Sequence, residues 1–411
     1  MIEWSEPQRM IRDAVRRFVE AEIAPNLEQL EHGDLPPYDV LRKLVRTFGM
    51  DELARSRFRR QIEVERNGRG EEPKREADPQ ARADAVAMTM VPIIELCRYC
   101  PGMVTAMGVS MGLTASAILS RGTLRQKERW ALDLLTFDKI GAWAITEPGS
   151  GSDAFGSMKA TARRDGDGYL LSGNKTFITN GPYADTIVFI CKLDEPGVDP
   201  RERAILHFVL DGDMPGLTRS RPMRKMGLHS SPTGELFLQD VRAGRDRLLG
   251  ESEKGAAAGG RAGARATFQT ERSGVAAMAL GIIERCLELS LAYARQRVQF
   301  GRPIGEFQLI QDKLARMEVA RMNVQNLVFR TIEMASRGAS MSLVEASAMK
   351  LYSARAANEV AQEAVQIHGG NGYMAEYRVE QLARDAKVLQ IYAGTDEIQI
   401  SAIARDLLAA G

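Results

Sequence analysis

Three textures along the chain predict its fold class. Apolar residues recur at helical spacing up to about residue 135. Short β-rich runs between turn clusters fill 140–249, and helical spacing returns from about residue 265. The expectation is an α+β multi-domain chain, mostly α. It has an N-terminal helical domain over 1–139, a central antiparallel β domain over 140–252 and a C-terminal four-helix bundle over 253–411.

The elements follow in order. Ser5-Glu6-Pro7-Gln8 is a capping box with proline still in the first turn, Ile11, Val15, Phe18 and Val19 share a helical face, and Pro25 ends it. A second helix covers about Val40 to Phe48. Residues 59–85 hold seven basic and seven acidic side chains with Gly68, Gly70, Pro73 and Pro79. They read as a solvated, charged insertion of about 53–88. Helical patterning resumes near Ala87 and runs to about Leu135.

The β-rich runs are Gly141–Ile145, Tyr169–Ser172, Thr176–Thr179, Thr186–Cys191, Ile205–Leu210 and Glu235–Leu238, with turns at Asp165–Gly168 and Asn180–Pro182. No ten-residue helical pattern interleaves them, which argues against βαβ units. Beyond them, Val275, Met278, Ile282, Cys286 and Leu289 form one stripe. Ile310, Leu314, Met317, Val324, Leu327 and Val328 form another. Ser342-Leu343-Val344-Glu345 caps a third helix that stops at Gly369-Gly370, and a fourth starts at Thr395.

Composition excludes several classes. Lys+Arg is 55 against 54 Asp+Glu, a net charge of +1, so a nucleic-acid binder is not expected. The longest apolar run, about Gly274 to Ile283, falls short of the ~18 residues of a membrane span. Cys97 and Cys100 form one CxxC, with Cys191 and Cys286 scattered and only four histidines. Buried thiols are expected rather than a metal site. The N-terminus lacks an apolar h-region, and a cytoplasmic location is expected.

Gly149-Ser150-Gly151-Ser152-Asp153-Ala154 fits G-x-G-x-x-A, but strand and turn follow where a dinucleotide site needs a helix. What remains is a glycine loop rich in N–H groups and hydroxyls, suited to a polar ligand or to a plain turn. Phe177 and Thr179 share a strand face at a turn, placed to stack on and hydrogen-bond a flat ring, or to form an ordinary edge strand.

Four segments together resemble the acyl-CoA dehydrogenase family. They are Ala142–Asp153 (AWAITEPGSGSD), Ala294–Ile304 (ARQRVQFGRPI), Gln366–Tyr373 (QIHGGNGY) and Ile391–Thr395 (IYAGT), in the family's order and spacing. The resemblance covers almost the whole chain except roughly 53–88. It implies FAD, an acyl-CoA thioester substrate and α,β-dehydrogenation to the trans-2-enoyl-CoA, as in fatty acid metabolism. Reoxidation would fall to an electron-transferring flavoprotein.

Site residues follow from the same resemblance. Trp143, Ile145, Thr146 and Ser152 match positions lining the flavin, with Phe177 and Thr179 behind it. Ser152 also falls where the family meets the CoA chain. Arg297, Phe300 and Gln366 to Gly370 (Gly369 and Gly370 included) match positions that reach the FAD of a neighbouring subunit, implying a homodimer or homotetramer. Phe307 and Gln308 lie toward the adenine end, and Thr395 to Glu397 open a helix near the cofactor. The N–H at Ala393, with a ribityl hydroxyl of the cofactor, would hold the thioester oxygen.

The sequence departs from the commonest pattern at Ala393, where many relatives carry the catalytic glutamate. A branch including isovaleryl- and long-chain acyl-CoA dehydrogenases places that glutamate on another helix, and Glu271-Arg272 followed by a glycine-ended apolar run fits that placement. The resemblance therefore implies Glu271 as base, with Arg272 and Gln269 beside the substrate. Gln269 stands where many relatives have an aspartate. A positional or capping role is expected for His368. Two rivals are a flavin oxidase or monooxygenase of the same fold, and a non-catalytic subunit of a hetero-oligomer.

Overall fold

Ser5 caps the first helix by accepting the Gln8 N–H, and the Gln8 side chain returns to the Ser5 N–H. That helix opens a computed structural model that describes residues 3–32, 35–67, 78–339 and 341–409; within these, the side chains of 254–270 are outside the description. The N-terminal helices are α1 Glu6–Phe18, α2 Leu27–Glu31, α3 Tyr38–Thr47, α4 Met50–Arg66 and α5 Pro79–Cys97. They continue as α6 Pro101–Met107, α7 Ser116–Arg121, α8 Leu124–Gln126 and α9 Leu132–Leu135. Glu95, buried in α5, ties α1 down by accepting from Arg16 Nε and Nη2 at 3.0 and 2.9 Å.

Residues 50–66 and 79–88 correct the expected insertion. Both are helical, and α4 buries Phe58 and Ile62 in the core of the β domain. Seven charges of each sign masked this, because two apolar residues at i, i+4 suffice to seat a helix whose other faces are solvated. Residues 68–77 of that segment lie outside the described residues. The run Pro101–Arg121 is also longer and more apolar than the sequence reading allowed. By length and composition alone it passes for a membrane span, yet half of its apolar window is buried inside the molecule. There Ser110 Oγ accepts the Gly141 N–H.

The β domain is one sheet of β1 Gly141–Ala144, β2 Thr161–Asp165, β3 Gly168–Thr179, β4 Thr186–Leu193, β5 Ile205–Asp211, β6 Leu217–Arg219 and β7 Thr233–Ala243. Its order is β1-β4-β2-β3-β7-β6, with β5 beside β4. Most pairings are antiparallel, but β1–β4 and β2–β4 run parallel. The loop 145–160 carries the chain away from β1 and back, so that β1 and β2 pair in the same sense with successive stretches of β4, Thr186–Phe189 and then Lys192–Leu193, on the edge opposite β5. β3 is one strand where two runs are predicted. Gly173, at φ 148°, and register shifts against β7 bend it without breaking the ladder.

The C-terminal half is α10 Glu253–Gln296, β8 Val298–Gln299, β9 Arg302–Pro303, α11 Gln308–Ser336, α12 Leu343–His368, α13 Val379–Lys387 and α14 Asp396–Ala409. Its apolar stripes merge with α1, α3 and α5 into one core, whereas α4, α7 and α9 pack with the sheet in another. The N-terminal domain is thus divided between two cores. Gly281 marks the closest approach of α10 to α5: a Cβ there would stand 2.2 Å from the Ile94 carbonyl oxygen.

Phe58→Ala is expected to destabilise the protein by about 3–5 kcal/mol, the usual cost of a buried aromatic truncation. Urea unfolding measures it; a change within ~0.5 kcal/mol would show that α4 is the solvated segment its composition suggests.

Candidate active site

The β-domain side is built around a buried ion pair. Lys175, fully buried on β3, donates to Glu147 Oε1 at 2.9 Å and to the Ile145 carbonyl at 3.0 Å. Glu147 also accepts the N–H groups of Lys159 and Ala160, at 2.6 and 2.9 Å. Burial pushes the Lys175 ammonium down and Glu147 opposes it. The pair therefore closes the loop 147–160 onto the sheet. The Thr176 N–H donates to the Thr146 carbonyl at 2.9 Å, joining the end of β1 to β3.

This arrangement gathers one group of the expected residues. Trp143 and Ile145 are buried, Thr146 and Thr179 half-buried, and Ser152 is exposed on the glycine loop. Phe177 sits at the bulge in β3 with φ 56°, which turns its ring outward to 65% exposure. Simple strand alternation did not foresee that kink. Asn180 locks the strand end. Its Nδ2 donates to the carbonyls of Ala106 and Gly141, both at 2.9 Å, and its Oδ1 accepts from Tyr38 Oη.

A second group forms around the Tyr392–Thr395 turn. Ala393 and Gly394 are both left-handed, at φ 53° and 88°. Gln399 Nε2 donates to the carbonyls of both, at 3.0 and 2.9 Å. Among the described residues the Ala393 N–H has no hydrogen-bond partner. Lys350 on α12 donates to the Gly394 carbonyl at 2.8 Å. Arg272 on α10 donates to Ser347 Oγ at 2.9 Å, and Gly394 lies beside its guanidinium. Glu271 precedes it, half-buried, its carboxyl pushed up to about 7 by burial, which Arg272 and then Lys350 oppose. Gln269 is outside the described side chains.

The remaining residues stand elsewhere. Arg297, Phe300 and the β8–β9 hairpin lie at the far end of α10, on the order of 38 Å along that helix from Glu271. Phe300 is 95% exposed, with its ring edge-on to Phe307, and Gln308 opens α11 beside it. Gln366, Gly369 and Gly370 are exposed near the same end, and a Cβ on either glycine would meet nothing. His368 is buried, stacked on Tyr293 and hydrogen-bonded through Nδ1 to the Ala364 carbonyl, as a positional role requires. Thr395 is half-buried beside Asp396, and Glu397 is exposed on α14.

Sequence reasoning missed Glu147, Lys175, Lys350 and Asp396. The signal was present, since a charged residue inside an apolar strand or helix stripe must find a partner.

Comparison with known proteins shows the family. The chain matches the domains described as "Acyl-CoA dehydrogenase, N-terminal domain" over 5–53, "middle domain" over 142–241 and "C-terminal domain" over 258–408. An acyl-CoA dehydrogenase of Bacillus subtilis is 37% identical over 404 residues, covering 98% of each chain. The structure of butyryl-CoA dehydrogenase from Megasphaera elsdenii superposes with a TM-score of 0.83 at 32% identity, covering 99% of this chain and 100% of that one. An acyl-CoA dehydrogenase complexed with FAD from Bacillus anthracis gives 0.80 at 29% identity, covering 99% and 68%. The chain belongs to the acyl-CoA dehydrogenase family, whose members are FAD-dependent oxidoreductases acting on acyl-CoA.

The residues present fit a flavin. An outward aromatic at Phe177, hydroxyls at Thr146 and Thr179 and an open glycine loop at 149–152 flank the buried Trp143, whose Nε1 lacks a partner among the described residues.

Glu147→Gln leaves Lys175 as a buried charge without its counter-charge, so a loss of about 3–5 kcal/mol is expected. Thermal melts and the flavin-to-protein absorbance ratio should fall together; a parental ratio would show that the loop holds its shape without the pair.

Proposed function

We propose that the chain oxidises an acyl-CoA thioester to the trans-2-enoyl-CoA, with Glu271 as the base. The observation that carries the reading is a half-buried glutamate whose carboxyl is pushed up to about 7, beside the Tyr392–Thr395 turn, where alanine occupies the commoner base position. The Cα–H of a thioester is a very weak acid, so a carboxylate must take the proton as negative charge moves onto the carbonyl oxygen. The Ala393 N–H is the donor this chain offers to that oxygen. FAD, when bound, supplies the two-electron acceptor for the hydride leaving Cβ. Trp143, Ile145, Thr146, Ser152, Phe177 and Thr179 would hold its ring, and Thr395 and Glu397 would flank it.

The Arg297–Phe300 and Gln366–Gly370 group is too far along the helices to serve the same site, which supports a second copy supplying it. A homodimer or homotetramer is the assembly proposed, with an electron-transferring flavoprotein as acceptor. Arg297→Ala should then weaken flavin retention and self-association together in analytical ultracentrifugation; a flavin-loaded, active monomer would contradict the shared site.

Glu271→Gln keeps shape and removes the base. Flavin content should stay near one per chain while bleaching by substrate slows ~10²–10⁴-fold. In the parent, kcat/KM should fall as pH drops through about 7, where Glu271 takes its proton. Stability runs the other way. A carboxyl whose folded pKa stands above its unfolded value binds the proton more tightly when folded. Its burial therefore costs stability increasingly from about pH 4.5 to about pH 7, and fully above that. Glu271→Gln should accordingly melt higher than the parent at pH 8 and equally at pH 4.5. Parental turnover in this variant would remove Glu271 from the mechanism.

A further inference from the structure

A lysine buried to 0% exposure near the centre of the site is the strongest unexplained feature. Lys350 lies on α12 with buried Ala346, Ser347, Met349 and Ser353 on the same helix. A hydrophobic side chain would satisfy packing there without desolvating a charge. Its ammonium is 2.8 Å from the Gly394 carbonyl oxygen and 3.7 Å from Asp396 Oδ1. The other oxygen of Asp396 already accepts from Arg355 Nε at 3.0 Å and Gln390 Nε2 at 3.2 Å. Asp396 therefore has partners without the lysine, and what only Lys350 adds is a charged grip on the turn.

We propose that Lys350 is a positioning residue of the dehydrogenation: clamped between the Gly394 carbonyl and Asp396, it holds the left-handed turn that aims the Ala393 N–H at the thioester oxygen, and it keeps positive charge beside Glu271. The second half rests on Glu271 as base. A non-glycine residue at φ 53° is strained and persists only where its surroundings fix it. The carbonyls of Ala393 and Gly394 are held by Gln399 and Lys350. The torsions of Ala393, and for the Lys350 contact those of Gly394 as well, are all that separate these anchored carbonyls from the Ala393 N–H, so holding the carbonyls restricts where the N–H points.

Among the described residues, three charged or titratable groups act on Glu271. Arg272 on α10 and Lys350 on α12 face it, and so does Tyr392 of the turn. Tyr392 in turn meets Cys97 of α5 and, through its hydroxyl, Met278 of α10. Lys350 faces Asp396 of α14, which Arg355 also reaches. Burial pushes Lys350 down to about 8, and Asp396 opposes that. The ammonium is thus mostly charged at neutral pH and lost in mild alkali.

The test uses the full-length, flavin-loaded protein with Lys350→Met and Asp396→Asn, flavin content and melting temperature serving as folding controls. Rapid mixing with an acyl-CoA reads bleaching rate and KM. A thioester with an acidified α-CH and no transferable β-hydrogen reads proton abstraction alone, as exchange of solvent deuterium into its α-carbon. Lys350→Met should slow bleaching ~10–100-fold with KM within ~3-fold, and shift the acid limb of proton abstraction to higher pH. Asp396→Asn should leave that acid limb in place and move the alkaline limb, set by Lys350, to lower pH. A folded Lys350→Met variant with parental bleaching and acid limb overturns the proposal. Should that variant fail to fold, an unmoved alkaline limb in Asp396→Asn overturns it. Glu271→Gln tells the two readings apart. If it turns over normally while Lys350→Met is slow, the base assignment fails and the aimed turn stands.

Discussion

The Lys175–Glu147 pair is the interaction on which the flavin side of the structure depends. Two charges removed from water inside a sheet are tolerated only because every strong polar atom finds a partner. The same carboxylate takes two backbone N–H groups from Lys159 and Ala160, so it closes the far end of a glycine-rich loop onto the sheet. With that loop closed, the chain re-enters the sheet as β2 beside β4. The bulge at Phe177 then faces outward next to Thr146 and Thr179. A hydrophobic pair would fill the volume but hold no loop.

The bundle side solves a different problem with similar means. In the proposed mechanism the base needs a pKa near working pH, which burial supplies, but burial alone would leave the carboxylate protonated through the neutral range. Arg272 and Lys350 oppose it, and the balance places Glu271 at about 7. Each cation is desolvated in turn: burial lowers Arg272, and Glu271 opposes that, just as Asp396 opposes the depression of Lys350. The chain Glu271, Lys350, Asp396, Arg355 alternates in sign across α10, α12 and α14. Removing any middle member leaves a neighbour with less compensation.

Much of this architecture was legible in the sequence because it rests on periodicity and capping. The capping boxes at Ser5 and Ser342, the stop at Gly369 and the stripes on α10 and α11 all reappear as read. Two kinds of feature were not legible. Helix α4 failed because two buried residues, Phe58 and Ile62, were outweighed by surrounding charge. The parallel pairings of β4 failed because strand sense depends on the path of the 145–160 loop, which a carboxylate twelve residues before its hydrogen-bond partner decides. The Glu271 position was readable only through resemblance. Lys350, which faces it, and Asp396, which faces Lys350, lie 79 and 125 positions from it, a separation no local pattern spans.

Ala393 shows why moving the base to another helix is physically coherent. At φ 53° any residue with a Cβ is strained by ~1–2 kcal/mol relative to glycine, so the turn has to be imposed from outside. A glutamate there would couple two demands, since the strained backbone would have to aim both an N–H donor and a carboxylate. With the carboxylate on α10, the turn has only the donor to aim, through Gln399 and Lys350. The carboxylate instead takes its position from one long helix packed across the core. In the proposed mechanism the two halves of the reaction, proton removal and charge stabilisation at the oxygen, then rest on separate elements. Lys350, touching one and charging the other, is where those elements meet.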